Sequence, residues 1–310
     1  MKIKVILTGG TIGSVYSDGY ITPNLSNECT LVNNYKNNHN SKIEFVVEKP
    51  YTILSENLTG NVLNNLISEI KKSLNEDYEG IIVAHGTDTL QYSAVAAHYC
   101  LGSEIIPVMF VSANYPLENP LSNGNINFEA AVEFIAQRVN KGVFVSYSND
   151  LKTVQFHIPT RLLRHGEYDH KLFSLNGEYA NYEDGKITVV SNRTKEETVL
   201  ESSKTFSNTC GILNITASPF DEYNYSLDGI KAVVFTPYHS GTLNTESESF
   251  KEFCQKATEK SIKMYVTGVS KGGEYASMKA YTDLNIIPVY GMPSLSLLVK
   301  LWLENNFFEL

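Results

Sequence analysis

Ile3-Lys-Val-Ile-Leu7, running directly into Thr8-Gly-Gly-Thr-Ile-Gly13, is the stretch on which the reading of this chain turns. A short apolar run that ends in glycines reads as a buried strand feeding a tight turn, because glycine lets the backbone take positive φ and approach a neighbour closely. The pattern recurs at Gly80-Ile-Ile-Val-Ala84, which ends in His85-Gly-Thr-Asp-Thr89. Between them, Leu58 to Leu74 carries Leu63, Leu66, Ile67 and Ile70 on one helical face, a crossover helix, and Gln91 to Leu101 reads as another helix. Strand, helix, strand in this order predicts parallel neighbours whose exit loops share one edge of a sheet. Thr8–Gly13 and His85–Thr89 then face each other across a crevice and their hydroxyls converge.

Further strands are predicted at Pro107 to Val111 and Val143 to Tyr147, with a helix from about Asn127 to Val139, giving a sheet of at least four strands. The Asn-rich stretch Asn33 to Asn40 reads as a mobile loop. From Lys186 to Asn208 the chain turns polar, which predicts a surface strand or two and then a linker. Beyond it, strands at Ala232 to Thr236, Lys263 to Thr267 and Ile286 to Pro288 alternate with helices at Glu246 to Glu259 and Ser294 to Asn305. The fold class is therefore α/β. A larger N-terminal domain (1–190), with a mostly parallel sheet flanked by helices, precedes a linker (191–208) and a smaller C-terminal α/β domain (209–310).

The 310 residues suffice for two cores, and 42% hydrophobic with 19% charged residues exclude a disordered or fibrous chain. A net charge of −9 without any basic run opposes phosphate backbones, so nucleic acid is excluded as a partner. Cys29, Cys100, Cys210 and Cys254 form no CxxC pair, and reduced thiols are expected. The apolar run before Thr8 is too short for a signal peptide, and no stretch approaches membrane-spanning length, so a cytoplasmic protein without a membrane partner is expected. His165-Gly-Glu167-Tyr-Asp169-His170 holds metal-binding residue types at a spacing that fits no usual ligand pattern, so it reads as a polar loop and no metal is expected. No GxxxxGK, GxGxxG, GxSxG or HExxH pattern occurs.

Each glycine turn alone is equally a tight βα turn whose threonines cap the next helix. Together, Thr8-Gly-Gly-Thr-Ile-Gly13 and His85-Gly-Thr-Asp-Thr89 resemble the two signatures of the bacterial-type L-asparaginases. Asp18-Gly-Tyr20, Ser55-Glu-Asn57, Ser122-Asn-Gly-Asn-Ile-Asn127 and Tyr238-His-Ser-Gly241 follow in the order of that family, over nearly the whole chain. The resemblance implies that Thr11 is the first nucleophile, forming an acyl-enzyme that water hydrolyses, with Tyr20 on a lid hinged at Gly19 as the activating phenol. It makes Thr87 the second catalytic threonine and Asp88 both a catalytic residue and the anchor of the substrate ammonium group. Ser55 would hold the α-carboxylate, Glu56 would give a second ammonium contact, and Gly10 and Gly86 would line the substrate. Without the resemblance, Tyr20 is one more partly exposed aromatic, and Ser55-Glu-Asn-Leu-Thr59 reads as readily as a helix N-cap.

Two positions depart from the family. Thr160-Arg-Leu-Leu-Arg164 has Arg164 where a catalytic lysine usually stands, and a guanidinium stays protonated and cannot serve as a base. Arg164 could still lower the pKa of the Thr87 hydroxyl or orient the site, unless a local shift brings Lys152 or Lys171 into the cleft. Asn123 stands where aspartate is usual, removing one carboxylate. The expected function is hydrolysis of L-asparagine to L-aspartate and ammonia with no cofactor. Glutamine is a side substrate, because rejecting one methylene is worth only about 1–3 kcal/mol. The resemblance also implies a homodimer or homotetramer. The alternative is a catalytically silent amino-acid-binding protein in which Arg164 has cost turnover. A third reading, the amidotransferase component acting on charged transfer RNA, is disfavoured by the acidic charge and by a signature that starts at residue 8.

Overall fold

Strand β1 (Lys2–Leu7) has Ile3, Val5 and Ile6 fully buried, as a strand covered by helices on both faces requires. The computed structural model describes residues 1–23, 30–192, 204–272 and 275–304. After β1 come a hairpin of β2 (Ser14–Ser17) and β3 (Tyr20–Pro23), then α1 (Thr30–Asn38), β4 (Glu44–Glu48), α2 (Gly60–Leu74), β5 (Gly80–Ala84) and α3 (Leu90–Leu101). The unit continues through β6 (Val108–Val111), α4 (Gly124–Ala136), β7 (Val143–Ser148), β8 (Val154–His157), β9 (Ala180–Glu183) and β10 (Lys186–Val189).

These strands, β2 and β3 apart, form an eight-stranded sheet in the order β10-β9-β8-β7-β6-β5-β1-β4. From β4 to β7 every neighbour is parallel, and β8, β9 and β10 add an antiparallel meander. The chain moves from β1 to one side for β4 and to the other for β5, so the strand order reverses at the β1–β5 pair. In open α/β sheets this switch point leaves a crevice beyond the carboxyl ends of the two strands.

Asn33 to Asn40 is not a loop. Most of it lies in α1, where Leu31, Val32 and Tyr35 are buried and Tyr35 meets Phe45 and Phe128 edge-on. Burial of those side chains outweighs the low helix propensity of the asparagines.

The chain divides into two compact units, Met1–Phe206 and Ser207–Leu310. Of the stretch read as a linker, 193–203 lie outside the described residues. Phe206 is buried, and its backbone exchanges two 2.8 Å hydrogen bonds with the side chain of Asn64 on α2, tying it to the first unit.

In the second unit β11 (Ile212–Thr216), β12 (Ala232–Thr236), β13 (Lys263–Val269) and β14 (Ile286–Tyr290) form a parallel sheet in chain order. Helices α5 (Glu248–Glu259), α6 (Ala280–Asp283) and α7 (Ser294–Glu304) connect or follow them. Phe235, Phe250 and Phe253 form the core on one face, while Val234 and Tyr265 pack on Leu297 and Leu301 of α7 on the other. Tyr238 to Gly241 is a turn closed by Gly241 N–H donating to the Tyr238 carbonyl at 2.8 Å. Among the described residues no helix is long and apolar enough to cross a membrane.

Candidate active site

The switch point places the two glycine turns side by side, because Leu7 pairs with Ala84 at the ends of β1 and β5. Thr8 fixes the junction: both its backbone N–H and its hydroxyl donate to the Ala84 carbonyl, at 3.1 and 3.0 Å. Beyond it the backbones come into direct contact. A Cβ on Gly10 (φ 74°) would overlap the backbone of Gly86, and one on Gly86 would lie 2.6 Å from Ser55 Oγ. Only glycine fits at either point. Thr11 and Thr87 each follow one of these touching glycines, so the two candidate hydroxyls sit at corresponding positions of adjacent turns.

Thr11 opens a single 3-10 turn (Thr11–Gly13) and is half-buried. The turn is pinned by Ser14 Oγ, which donates to the Gly10 carbonyl at 2.8 Å. Among the described residues no hydrogen bond engages the Thr11 hydroxyl. Tyr20 begins β3, which packs back against the Thr11 turn, and its side chain is 74% exposed. The hairpin reverses at Asp18 (φ 52°) and Gly19 (φ 82°), two consecutive positive-φ residues that match the right-handed strand twist.

Across the crevice, Thr87 is half-buried and its hydroxyl donates to the Ala113 carbonyl at 2.8 Å. Asp88 is exposed and accepts a 3.3 Å hydrogen bond from Ser55 Oγ. Ser55 is itself buried. Within the Ser55–Thr59 stretch the N-cap of α2 is Thr59, whose Oγ1 accepts from Val62 N–H. The Ser55 segment is held in place from the second turn by Thr89, whose hydroxyl donates to the Ser55 carbonyl at 2.8 Å. Glu56 is exposed on the same short turn. Ser55, Glu56 and Asp88 therefore offer one hydroxyl and two carboxylates on one rim, a set suited to an ammonium group.

His85 is fully buried, and burial pushes its imidazole down to about 4, so the ring is neutral. Its Nδ1–H donates to the Gly86 carbonyl at 2.8 Å, bracing the second turn. Asn123 is buried too, in a reciprocal pair with Asn114: each side-chain oxygen accepts from the other's backbone N–H, at 2.9 and 3.0 Å. Its Nδ2 donates to the Ser148 carbonyl at 2.9 Å, a bond that a carboxylate could not make.

Arg164 is exposed, and its guanidinium lies 5.8 Å from the centre of the Tyr92 ring on α3. Among the described residues no hydrogen bond or ion pair joins it to Thr87 or Asp88. Lys152 lies in the β7–β8 turn and Lys171 beyond the Arg164 loop, both exposed. Sequence reasoning passed over two residues. Thr89 was visible only as a turn residue, and nothing local showed its bond to Ser55. His165 reads in sequence as part of a polar loop, yet its ring is half-buried with Nε2 shielded from solvent, and burial holds the imidazole below its ordinary value. Among the described residues no group of three or more His, Cys, Asp or Glu side chains is placed to hold a metal ion.

A glutamyl-tRNA(Gln) amidotransferase component from Saccharolobus solfataricus is 35% identical over 133 residues, 42% of this chain and 30% of that protein. The protein of the same name from Sulfurisphaera tokodaii is 32% identical over 133 residues, 42% of this chain and 29% of its own. The chain thus spans less than a third of the length of these curated relatives. The thermostable L-asparaginase from Thermococcus kodakarensis superposes with a TM-score of 0.74 over 97% of this chain and 92% of its own, at 19% identity. L-asparaginase I from Vibrio cholerae O1 biovar eltor str. N16961 gives 0.75 over 99% and 94%, at 18% identity. At such identities the likeness establishes the fold alone. Residues 2–162, more than half of the 310 and including both glycine turns, match the family described as asparaginase, N-terminal, and the chain therefore belongs to the asparaginase family of amide hydrolases.

Proposed function

We propose that the chain hydrolyses the side-chain amide of L-asparagine to L-aspartate and ammonia through a threonyl ester, without a cofactor. The observation that carries this reading is the contact of Gly10 with Gly86, which sets Thr11 and Thr87 on facing turns beside the Ser55–Asp88 pair. Thr11 Oγ attacks the amide carbon as its proton passes through the phenol of Tyr20, carried on the Asp18–Gly19 hairpin, to the departing nitrogen; ammonia leaves and water then cleaves the ester. The glycine-rich turns let backbone N–H groups approach the developing oxyanion. Asp88 and Glu56 take the α-ammonium, Ser55 takes the α-carboxylate, and Gly10 and Gly86 form the floor. Thr87 serves the second half of the reaction, and Arg164 supplies a positive charge at the rim. Some turnover of L-glutamine is expected, and the working form is a homodimer or homotetramer in the cytoplasm.

Ammonia release from both amides by wild type and Thr11→Ala tests the reading. Turnover in wild type and its loss in Thr11→Ala support it, and an inert wild type overturns it. A second reading draws on Arg164, which stacks over Tyr92 instead of bonding to Thr87. In that case the chain binds aspartate or asparagine without turning them over, and calorimetric binding with no ammonia release is its signature. The curated relatives raise a transfer-RNA-linked amidase, but the net charge of −9 disfavours a transfer RNA partner.

A further inference from the structure

Thr87 is held by a peptide bond. Among the described residues its hydroxyl has one hydrogen-bond partner, the Ala113 carbonyl at 2.8 Å. A carbonyl only accepts, so the hydroxyl hydrogen points at Ala113, and Thr87 Oγ1 can only accept from whatever enters the crevice. The other edge of the same peptide is the Asn114 N–H, which donates to Asn123 Oδ1 at 2.9 Å. Because a peptide is planar, with its N–H and C=O pointing opposite ways, the group that holds the N–H also aims the carbonyl. The two ends of the Asn123 amide are assigned by their partners: the Asn114 N–H requires the oxygen, and the Ser148 carbonyl, 2.9 Å from Nδ2, requires the nitrogen.

Asn123 stands at the N-cap of α4, where an asparagine side chain ordinarily accepts from an N–H of its own first turn. Here it makes no capping bond. Its buried amide is turned instead to Asn114 and Ser148. The start of α4 also lies hard against the same peptide, since a Cβ on Gly124 would come within 2.9 Å of the Ala113 Cβ. A side chain diverted from capping its own helix thus clamps the peptide that orients Thr87.

We propose that Asn123 is a positioning residue for the second half of the reaction: through the Ala113–Asn114 peptide it holds the Thr87 hydroxyl as an acceptor for the hydrolytic water. The inference rests on the amidase reading above. The water donates one hydrogen to Thr87 Oγ1, which aims its oxygen at the acyl carbon of the Thr11 ester. Asn123 Oδ1, the peptide and the Thr87 hydroxyl form a chain of hydrogen bonds running one way, so each bond makes the next oxygen a better acceptor. As the water oxygen bonds to the acyl carbon and the bond to Thr11 Oγ breaks, one water proton restores the Thr11 hydroxyl and the other leaves the new carboxyl group for solvent. Thr87 keeps its own hydrogen throughout.

The test divides the acyl-enzyme between water and hydroxylamine. The purified chain turns over L-asparagine at a fixed hydroxylamine concentration, and the ratio of aspartyl hydroxamate to aspartate is measured, a quantity independent of which step limits the rate. Hydroxylamine is the stronger nucleophile and depends less on alignment, so a misplaced water raises the ratio. Asn123→Ala raises it about 10-fold or more, and so does Thr87→Val. The double variant goes no further than Thr87→Val alone, because the two residues act in series. Asn123→Asp keeps an oxygen for the Asn114 N–H and stays near the wild-type ratio even though it is less stable. Urea midpoints establish that each variant is folded in the assay. A folded Asn123→Ala with the wild-type ratio overturns the proposal, as do effects that multiply in the double variant. If Asn123→Ala does not fold, the other two variants decide: a ratio raised in Asn123→Asp as far as in Thr87→Val, or unmoved in Thr87→Val, overturns it. An inert wild type overturns the amidase reading and this inference with it, whereas an active wild type whose ratio no variant moves overturns the inference alone.

Discussion

Gly10→Ala tests the contact on which the site depends. The methyl group would overlap the Gly86 backbone, and Gly10 holds φ 74° with ψ −175°, an essentially glycine-only region that costs an L-residue about 1–3 kcal/mol. Overpacking against backbone, which cannot rotate away, adds about 1–3 kcal/mol. The expected loss is therefore at least about 2 kcal/mol, a fall in melting temperature of about 4–8 °C for a unit of this size. Any relief must separate the turns bearing Thr11 and Thr87, so kcat/KM should fall by about 10²-fold. Gly13→Ala is the matched control: it lies in the same motif, but a Cβ there meets nothing within 4 Å and its φ is not positive. Alanine at that point should be neutral or stabilising by up to about 1 kcal/mol. Thermal unfolding and asparagine turnover on both variants decide the matter. If Gly10→Ala melts and works like wild type, or if both glycines respond alike, the close-contact argument is wrong.

Asn123→Asp exchanges a donor for a carboxylate oxygen facing the Ser148 carbonyl, and should destabilise by about 1–3 kcal/mol. Its pKa would be raised in the fold, so the penalty should be larger at pH 8 than at pH 5, which urea midpoints at the two values would show. Ser55→Ala removes the 3.3 Å bond to Asp88 and the proposed carboxylate ligand. We expect KM for asparagine to rise about 5- to 30-fold with kcat little changed, and a fall in kcat alone would contradict a binding role. His85 and His157 are both depressed by burial to about 4 in the fold. The unfolded chain then binds more protons than the fold below about pH 6.5, so stability is complete above that pH and is lost as pH falls toward 4. The loss is about 2 kcal/mol per histidine at pH 5, and His157→Gln should flatten the slope of urea midpoint against pH by about half.

The parts of the fold legible in sequence are those where burial acts on consecutive residues. Ile3, Val5 and Ile6, and Ile81 to Ala84, are hidden on both faces of the sheet, so β1 and β5 read as continuous apolar runs. Helix α2 was legible because its solvent face is polar and its inner face is not. Helix α1 was not: its anchors Leu31, Val32 and Tyr35 are interspersed with asparagines that carry no inward signal. The β2–β3 hairpin hid behind two four-residue strands, although Asp18-Gly19 is a strong turn signal. At the site, the two glycine turns and their parallel exits followed from the strand order. The bonds that tie the Ser55 turn to the second of them, Thr89 to Ser55 and Ser55 to Asp88, span more than 30 residues and leave no local trace.

The contrast between Arg164 and His165 shows why a position taken from spacing alone is fragile in this loop. Arg161 is the anchor: it is buried, its guanidinium donates to Ser191 Oγ at 3.0 Å and to the Asn192 carbonyl at 2.6 Å, and its carbonyl accepts from Leu175 N–H at 2.7 Å. Leu162 is buried next, and Leu163 and Arg164 then face outward. The register that leaves the anchor therefore decides which of two adjacent side chains turns inward, and here it is His165. A cation that is always charged is tolerable where it is exposed and stacked on an aromatic ring. The enclosed place against Tyr147 goes instead to an imidazole, which burial holds below its ordinary value. Reading the site from position 164 alone therefore meets a guanidinium stacked on Tyr92, while it is the next side chain that turns in against Tyr147.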